Sequence, residues 1–218
     1  MHRPLFHRLL SDVVETEEVD PHTVTGGLAS AERDAIEGAA QTRIEQFTAG
    51  RVCSRRALAR FGVAATTPIL RGEDRAPIWP KGFVGSITHT DTWCGAAVAR
   101  ESDMRAIGID LEAATPLKEA LWRRVCTPTE RERLRGLPSP GLMGKILFSA
   151  KESVYKCQYT LTTQFLGFHA VEVDVDVGAG AFRAVFRQPA GEFQPGYTMD
   201  GRYLVEDGLV ASACELRA

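Results

Sequence analysis

Gly108-Ile109-Asp110-Leu111-Glu112 alternates aliphatic side chains with carboxylates. In a strand, successive side chains point to opposite faces, so Asp110 and Glu112 share one face and Ile109 and Leu111 the other. Two carboxylates about 7 Å apart along a strand outline a hard-cation site made of oxygen. On spacing alone, the commoner reading of two such acids is the solvated face of a half-buried sheet. What converges on them from the rest of the chain decides between the two.

Upstream, Phe83–Thr88 reads as a strand ending at His89, and Trp93–Arg100 reads as a second, with a turn at Thr90-Asp91-Thr92. This predicts an antiparallel hairpin, with the strand Ala106–Glu112 beside it. Ser86, Thr88 and His89 crowd polar groups onto one strand end. Residues 62–82 form a connector with Pro68, Gly72, Pro77, Pro80 and Gly82, long enough to suggest a functional loop. Before it, Ser30 caps a strong helix carrying Ile36, Ala39, Ala40, Ile44 and Phe47 at helical period. Gly50 interrupts this helix and residues 51–61 resume it. Arg43, Phe47 and Arg51 step by four and lie on one side. Most arginines of this region read as a solvated face, but a pair of guanidiniums there can grip a phosphate with forked donors. Residues 1–29 predict a surface-lying start with little regular structure, passing into a loop at Thr25-Gly26-Gly27.

Downstream, Thr127-Pro128-Thr129-Glu130 has the form of a capping box with proline at the first helical position, and this helix ends near Gly136. A second helix over residues 141–158 carries Met143, Ile146, Leu147, Ala150, Val154 and Cys157 as its apolar stripe. Lys151, Glu152 and Lys156 lie mainly outside that stripe, and Glu152 and Lys156 alone would read as a surface pair worth about 0.3–0.5 kcal/mol. Residues 171–177 alternate valine with acid and predict a half-exposed strand. Its three acids (172, 174, 176) read as a solvated face. Ala181–Arg187 pairs with it, and Tyr203–Val205 with Leu209–Leu216 closes a hairpin across Asp207-Gly208. Each half thus carries helices followed by antiparallel hairpins. The fold class is α+β, pseudo-duplicated, with halves at 1–113 and 114–218 and a cleft between them.

Composition narrows the function classes. The chain has 218 residues, 44% hydrophobic and 25% charged, with net charge −2. No positive field recruits nucleic acid or an anionic membrane, and no apolar run approaches the roughly 18 residues of a membrane span. The five cysteines are scattered, without CxxC, and read as reduced thiols in a cytoplasmic protein.

Four blocks in order give a specific signal: Phe47-x-x-Gly50-Arg51-x-Cys53-x-Arg55-x-Ala57-Leu58; Trp79-Pro80-x-Gly82 with Gly85-Ser86-Ile87-Thr88-His89; Gly108–Glu112; and Phe148-Ser149-Ala150-Lys151-Glu152-Ser153-x-Tyr155-Lys156 followed by Leu166-Gly167-Phe168. From about Arg43 to Phe168 the chain resembles the Sfp-type 4'-phosphopantetheinyl transferases, and among them the group of enterobactin synthetase component D. The resemblance implies transfer of 4'-phosphopantetheine from coenzyme A to a carrier-protein serine, with release of 3',5'-ADP. It implies Asp110, Glu112 and Glu152 around Mg²⁺ (Mn²⁺ as the alternative), with Glu152 as general base. It further implies Lys156 on the pyrophosphate, His89 on the pyrophosphate or the 3'-phosphate, Arg43, Arg51 and Arg71 on the phosphates of the nucleotide end, and Thr88 and Lys151 as supporting coenzyme A contacts. Leu111 between the acids, where some relatives carry a polar residue, implies a metal held by few protein oxygens and several waters. The partners implied are coenzyme A and an acyl or peptidyl carrier protein, and two fused halves make a monomer the simpler expectation. Arg131, Arg133, Arg135 and the Leu142-Met143 region are the expected carrier surface. The other class, a coenzyme A- or carrier-binding paralogue without activity, differs in binding without release of 3',5'-ADP.

Overall fold

Residues 104–113 do form a strand, and both of its faces are buried. A computed structural model describes residues 4–218. On one face of that strand, Ile107, Ile109 and Leu111 pack with Leu5, Phe6, Leu9, Leu10 and Val14. On the other face, Asp110 is only 5% exposed. The solvated-face reading of the acid pair therefore fails at Asp110.

In chain order, the first half comprises a 3-10 turn (Phe6–Arg8), β1 (Glu15–Val19), a 3-10 stretch (Ser30–Ile36), α1 (Gln41–Ala59), β2 (Leu70–Arg71), β3 (Pro77–Ile78), β4 (Phe83–His89) and β5 (Cys94–Arg100). The second comprises β6 (Met104–Ala113), α2 (Glu119–Val125), α3 (Pro128–Arg135), α4 (Pro140–Thr162), a 3-10 turn (Phe168–Ala170), β7 (Val171–Asp176), β8 (Ala181–Phe186), β9 (Thr198–Glu206) and β10 (Leu209–Arg217). The strands form antiparallel sheets in the orders β1-β5-β4 and β6-β10-β9-β8-β7, plus the small hairpin β2-β3. The α+β class and the three larger hairpins read from the sequence are present.

Several expectations change. Residues 4–29 are not a loose start: β1 is the edge strand of the first sheet, and Phe6 is completely buried; the expectation for residues 1–3 lies outside the described residues. Val13 to Asp20 misleads because an acid-rich edge strand exposes one face and looks polar throughout. The helix does not begin at Ser30, which opens a 3-10 stretch with Ala29 at its N-cap; α1 starts at Gln41. Gly50 lies inside an unbroken α1, where a Cβ would come within 3.0 Å of Ile87, so its smallness serves helix-on-sheet packing. The connector at 62–82 contains the β2-β3 hairpin. Helix α2 has no counterpart in the sequence reading, because seven residues are too few to show a helical period. β6, placed by sequence in the half ending at 113, is hydrogen-bonded along its length to β10 in the five-stranded sheet.

The free edge of β6 faces β4, and side chains satisfy it. Ser86 Oγ accepts from the Ile109 amide at 3.2 Å and Thr88 Oγ1 from the Leu111 amide at 3.1 Å. Buried amides must find partners, and these two hydroxyls stitch the halves together beside the acids.

Each half is also held by a buried carboxylate clamp. In the first, the Glu32 carboxylate accepts from the Ala29 amide (2.8 Å), the Ile69 amide (2.8 Å) and the Arg55 guanidinium (2.7 Å). Arg55 donates onward to the Gly27 carbonyl. In the second, the Glu130 carboxylate accepts from the Thr127 amide (2.7 Å), the Val173 amide (2.6 Å) and the Lys151 ammonium (2.7 Å). Lys151 donates onward to the Val125 carbonyl. An acid three residues past a capped amide, a cation on the long helix, and a carbonyl five residues before the acid recur in both halves. The duplication, invisible as sequence identity, is legible in these bonds.

Candidate active site

Gly108 explains how a helix comes to lie on the acids. A Cβ there would stand 1.8 Å from the Ser153 carbonyl and 2.7 Å from the Cys157 amide nitrogen, so only glycine lets α4 approach β6 this closely. At that crossing, Lys156 Nζ donates to Asp110 Oδ1 at 2.8 Å and to the Ile109 carbonyl at 2.9 Å. Asp110 Oδ2 is buried with no hydrogen-bond partner, the only such side-chain atom among the described residues. Glu152, one turn back on α4, is pushed up from the usual carboxylate range, first by burial and then by Asp110, with Glu112 adding and Lys156 opposing. The Glu152–Lys156 pair is thus part of a cluster of three acids and not an isolated surface bridge.

Lys145 completes the cluster, donating to Glu112 Oε2 at 2.9 Å. The sequence reading missed it. Helical geometry holds the signal: residues 145, 152 and 156 are separated by seven and eleven, which returns each to one face at 100° per residue.

The first half brings His89 at the end of β4. Arginine has no acceptor, so the 3.1 Å contact between Arg43 Nη1 and His89 Nε2 makes Nε2 the acceptor and leaves the proton on Nδ1. Burial, Arg43 and Lys156 together hold the imidazole below its usual pKa, opposed by Asp91 and Asp110. Arg43 itself is exposed. Arg51 is buried, stacked 4.1 Å above the Phe47 ring, with Nε donating to the Ile69 carbonyl at 2.7 Å. Its pKa is lowered to about 10, by burial first and by Arg43, Arg55 and Arg71 as well, against the pull of Glu32. Arg71 is exposed and donates to the Ala35 carbonyl at 3.1 Å. Arg43, Arg51 and Arg71 thus gather positive charge on the α1 side, with Glu32 as the acid opposing it at Arg51.

Two expected contacts have structural partners. Lys151 is buried, and its three ammonium protons go to Val125 O, Glu130 Oε2 and Phe168 O. With every donor taken it has none for coenzyme A, so that expectation is corrected. Thr88 is buried with its oxygen on the Leu111 amide, a brace for β6. On α3, Arg133 pairs with Glu172 and Asp174 and Arg135 with Glu132 in exposed ion pairs, and Arg131 donates to the Cys126 carbonyl.

A cleft of about 710 Å³ runs between the halves, with Asp74, Arg75, Pro77, Trp79 and Ser86 on one side and Tyr155, Lys156 and Tyr159 on the other. A second groove of about 560 Å³ adjoins the acids, lined by Glu112, Lys145, Phe148, Glu152, Tyr155 and Phe165. The arrangement suits an anionic ligand lying across the halves near one acid, Glu152, poised to take a proton. No three His, Cys, Asp or Glu side chains among the described residues form a ready cation cage, since Lys156 and Lys145 hold two of the acids. The unpartnered Asp110 Oδ2, facing a cluster whose charges raise Glu152, nonetheless fits one hard cation held by few protein oxygens. All five cysteines are free and buried. No helix among the described residues is long and apolar enough to cross a membrane.

Comparison with known proteins gives the following. Residues 31–99 match the 4'-phosphopantetheinyl transferase N-terminal domain, and residues 106–204 match the 4'-phosphopantetheinyl transferase superfamily. The chain is 42% identical over 189 residues to 4'-phosphopantetheinyl transferase Svp of Streptomyces mobaraensis, covering 84% of this chain and 76% of that one. It is 38% identical over 194 residues to 4'-phosphopantetheinyl transferase Npt of Nocardia iowensis, covering 84% and 86%. Enterobactin synthase component D of Escherichia coli is 37% identical over 125 residues, covering 56% and 57%.

Proposed function

Because the chain belongs to the 4'-phosphopantetheinyl transferase superfamily, we propose that it moves the 4'-phosphopantetheine arm of coenzyme A onto a serine of an acyl or peptidyl carrier protein. The observation that carries the site assignment is the buried junction of Asp110, Glu152 and Lys156 where α4 crosses β6. The serine oxygen forms a bond to the β-phosphorus of coenzyme A. The bond from that phosphorus to the bridging oxygen breaks, and 3',5'-ADP leaves with the bridging oxygen. The serine proton passes to Glu152, directly or through water; burial among acids makes this carboxylate a stronger base than a solvated one.

Phosphoryl transfer needs positioning and charge neutralisation more than covalent help. Lys156 has two of its three protons on Asp110 and Ile109, leaving one for a pyrophosphate oxygen. His89 offers its Nδ1 proton to the same group of phosphates. Arg43 and Arg71 supply exposed guanidiniums for the nucleotide phosphates, backed by Arg51. Asp110, Glu112 and Glu152 would hold Mg²⁺, or Mn²⁺ in its place, on exchange of the lysine contacts. That cation, when bound, supplies neutralisation of the pyrophosphate charge. The reduced, buried thiols support a cytoplasmic setting, and we take the working form to be a monomer.

The test is intact-mass analysis of a panel of apo acyl and peptidyl carriers incubated with the protein, coenzyme A and Mg²⁺. A gain of one phosphopantetheine on at least one carrier is expected. No gain on any carrier overturns the reading, and coenzyme A binding without 3',5'-ADP release would instead identify a non-catalytic binder.

A further inference from the structure

Glu32 is a fully buried carboxylate that the proposed chemistry does not use. Its side chain is completely shielded from solvent, and that of its partner Arg55 is 9% exposed. The clamp they form ends on Ile69, whose amide donates to Glu32 Oε1 at 2.8 Å and whose carbonyl accepts from Arg51 Nε at 2.7 Å. Both backbone groups of one buried residue are therefore held by charged side chains from the α1 side. Ile69 is also the root of the β2-β3 hairpin: Leu70 and Arg71 follow it directly and pair with Ile78 and Pro77. That hairpin carries Arg71, and its tip carries Asp74 and Arg75 along one wall of the cleft. Asp74 accepts from the Tyr159 hydroxyl of α4 at 3.0 Å, so the same hairpin spans from the clamp to the catalytic helix.

A two-residue ladder is too short to hold its own position. Beyond the ladder, the hairpin is tied to the rest of the fold by the clamp at its root, the Arg71 bond to Ala35, and the Tyr159 contact at its tip. The root tie is buried and charge-assisted, whereas the other two are exposed. We infer that Glu32 is a positioning residue: through Arg55, Ile69 and Arg51 it sets where the β2-β3 hairpin presents Arg71 to the nucleotide end of coenzyme A. This rests on the reading that Arg71 meets the coenzyme A phosphates. An acceptor-only carboxylate is needed because every group facing it is a donor, and a glutamine would turn its NH₂ toward one of them. Shortening the side chain while keeping its charge is the gentler perturbation.

The test uses Glu32→Asp in the full chain, with Arg71→Ala and the double variant, measuring KM for coenzyme A, KM for the carrier, kcat, and hydrogen exchange at the amides of Ile69, Gly72 and Ala76. Expected is a rise of about tenfold in KM for coenzyme A, with kcat and carrier KM within about twofold, and faster exchange at the three amides. In the Arg71→Ala background, Glu32→Asp should add less than about twofold. Full multiplication of the two effects, or kcat and both KM values worsening together, overturns the inference. If Glu32→Asp does not fold, Arg55→Lys carries the same expectations and the same overturning results. If the wild type transfers nothing, the functional reading fails instead, and the exchange data still report on the clamp. Unchanged protection at Ile69 and Gly72 then overturns the positioning claim.

Discussion

Glu32 and Glu130 occupy matching places in the two halves, yet the helices they hold offer different chemistry to the cleft. Each carboxylate takes two backbone amides and one helix cation, and each cation reaches on to a carbonyl five residues before its acid. The inner faces of α1 and α4 are thus near copies. The outer faces are not. The α1 side shows Arg43 and the imidazole it bonds, suited to phosphate. The α4 side shows Lys145, Glu152 and Lys156, suited to neutralising charge and taking a proton. What the halves share is the part that satisfies buried backbone groups, where geometry leaves little choice. What separates them is the part facing the candidate site.

Substitutions on α4 break this comparison into separate effects. On the outer face, Glu152→Gln should lower kcat by about 10²–10⁴-fold, the usual range for a general base, while the melting temperature does not fall; steady-state kinetics beside a thermal melt checks both. On the inner face, Lys151→Met leaves Glu130 charged and buried without its cation, at a cost of about 3–5 kcal/mol. Urea unfolding should show that loss, and the fraction still folded should keep near-normal KM for coenzyme A. Lys156→Met, five residues away, also strips a buried acid, Asp110, of its cation and should lower the urea midpoint, but it differs from Lys151→Met in lowering kcat of the folded protein about 10²–10³-fold, as for a lost oxyanion donor. Equal behaviour of the two lysine variants would erase the distinction between the faces.

Gly108→Ala tests the crossing itself. Its methyl must push α4 off β6, costing about 1–3 kcal/mol or more by overpacking, and the displacement should lower kcat as well because Lys156 and Glu152 move with the helix. The smallest effect belongs to Lys145→Met, whose partly exposed pair with Glu112 is worth about 1 kcal/mol or less. A stability loss of several kcal/mol there would mean that the acid cluster, not the clamps, holds the second half together.

The sequence carried most of the architecture and named the residues of the candidate site, but not their connections. Hairpins with alternating patterns and the Thr127–Glu130 capping box are local, and they stand where expected. Asp110, Glu112, Glu152, Lys156, His89 and Arg43 could be named because their order along the chain resembles a known family. Their roles in space could not be read. Lys151 and Lys156 look alike in sequence, and only the fold turns one onto Glu130 and the other onto Asp110. β1 was hidden by its acids, α2 by its length, and the Glu32 clamp by the 37 residues that separate it from Ile69. Long-range bonds of this kind leave no periodic trace.

The most direct measurement of the central claim counts two products of one reaction. Wild-type protein and Glu152→Gln are incubated with coenzyme A, Mg²⁺ and an apo carrier that accepts the arm, and the 3',5'-ADP released is compared with the carrier converted. One 3',5'-ADP per modified carrier for the wild type, with both products nearly absent for Glu152→Gln despite unchanged coenzyme A binding, is the result expected. Near-normal formation of both products by Glu152→Gln would contradict the assignment of the acid cluster on β6 and α4 as the seat of the chemistry.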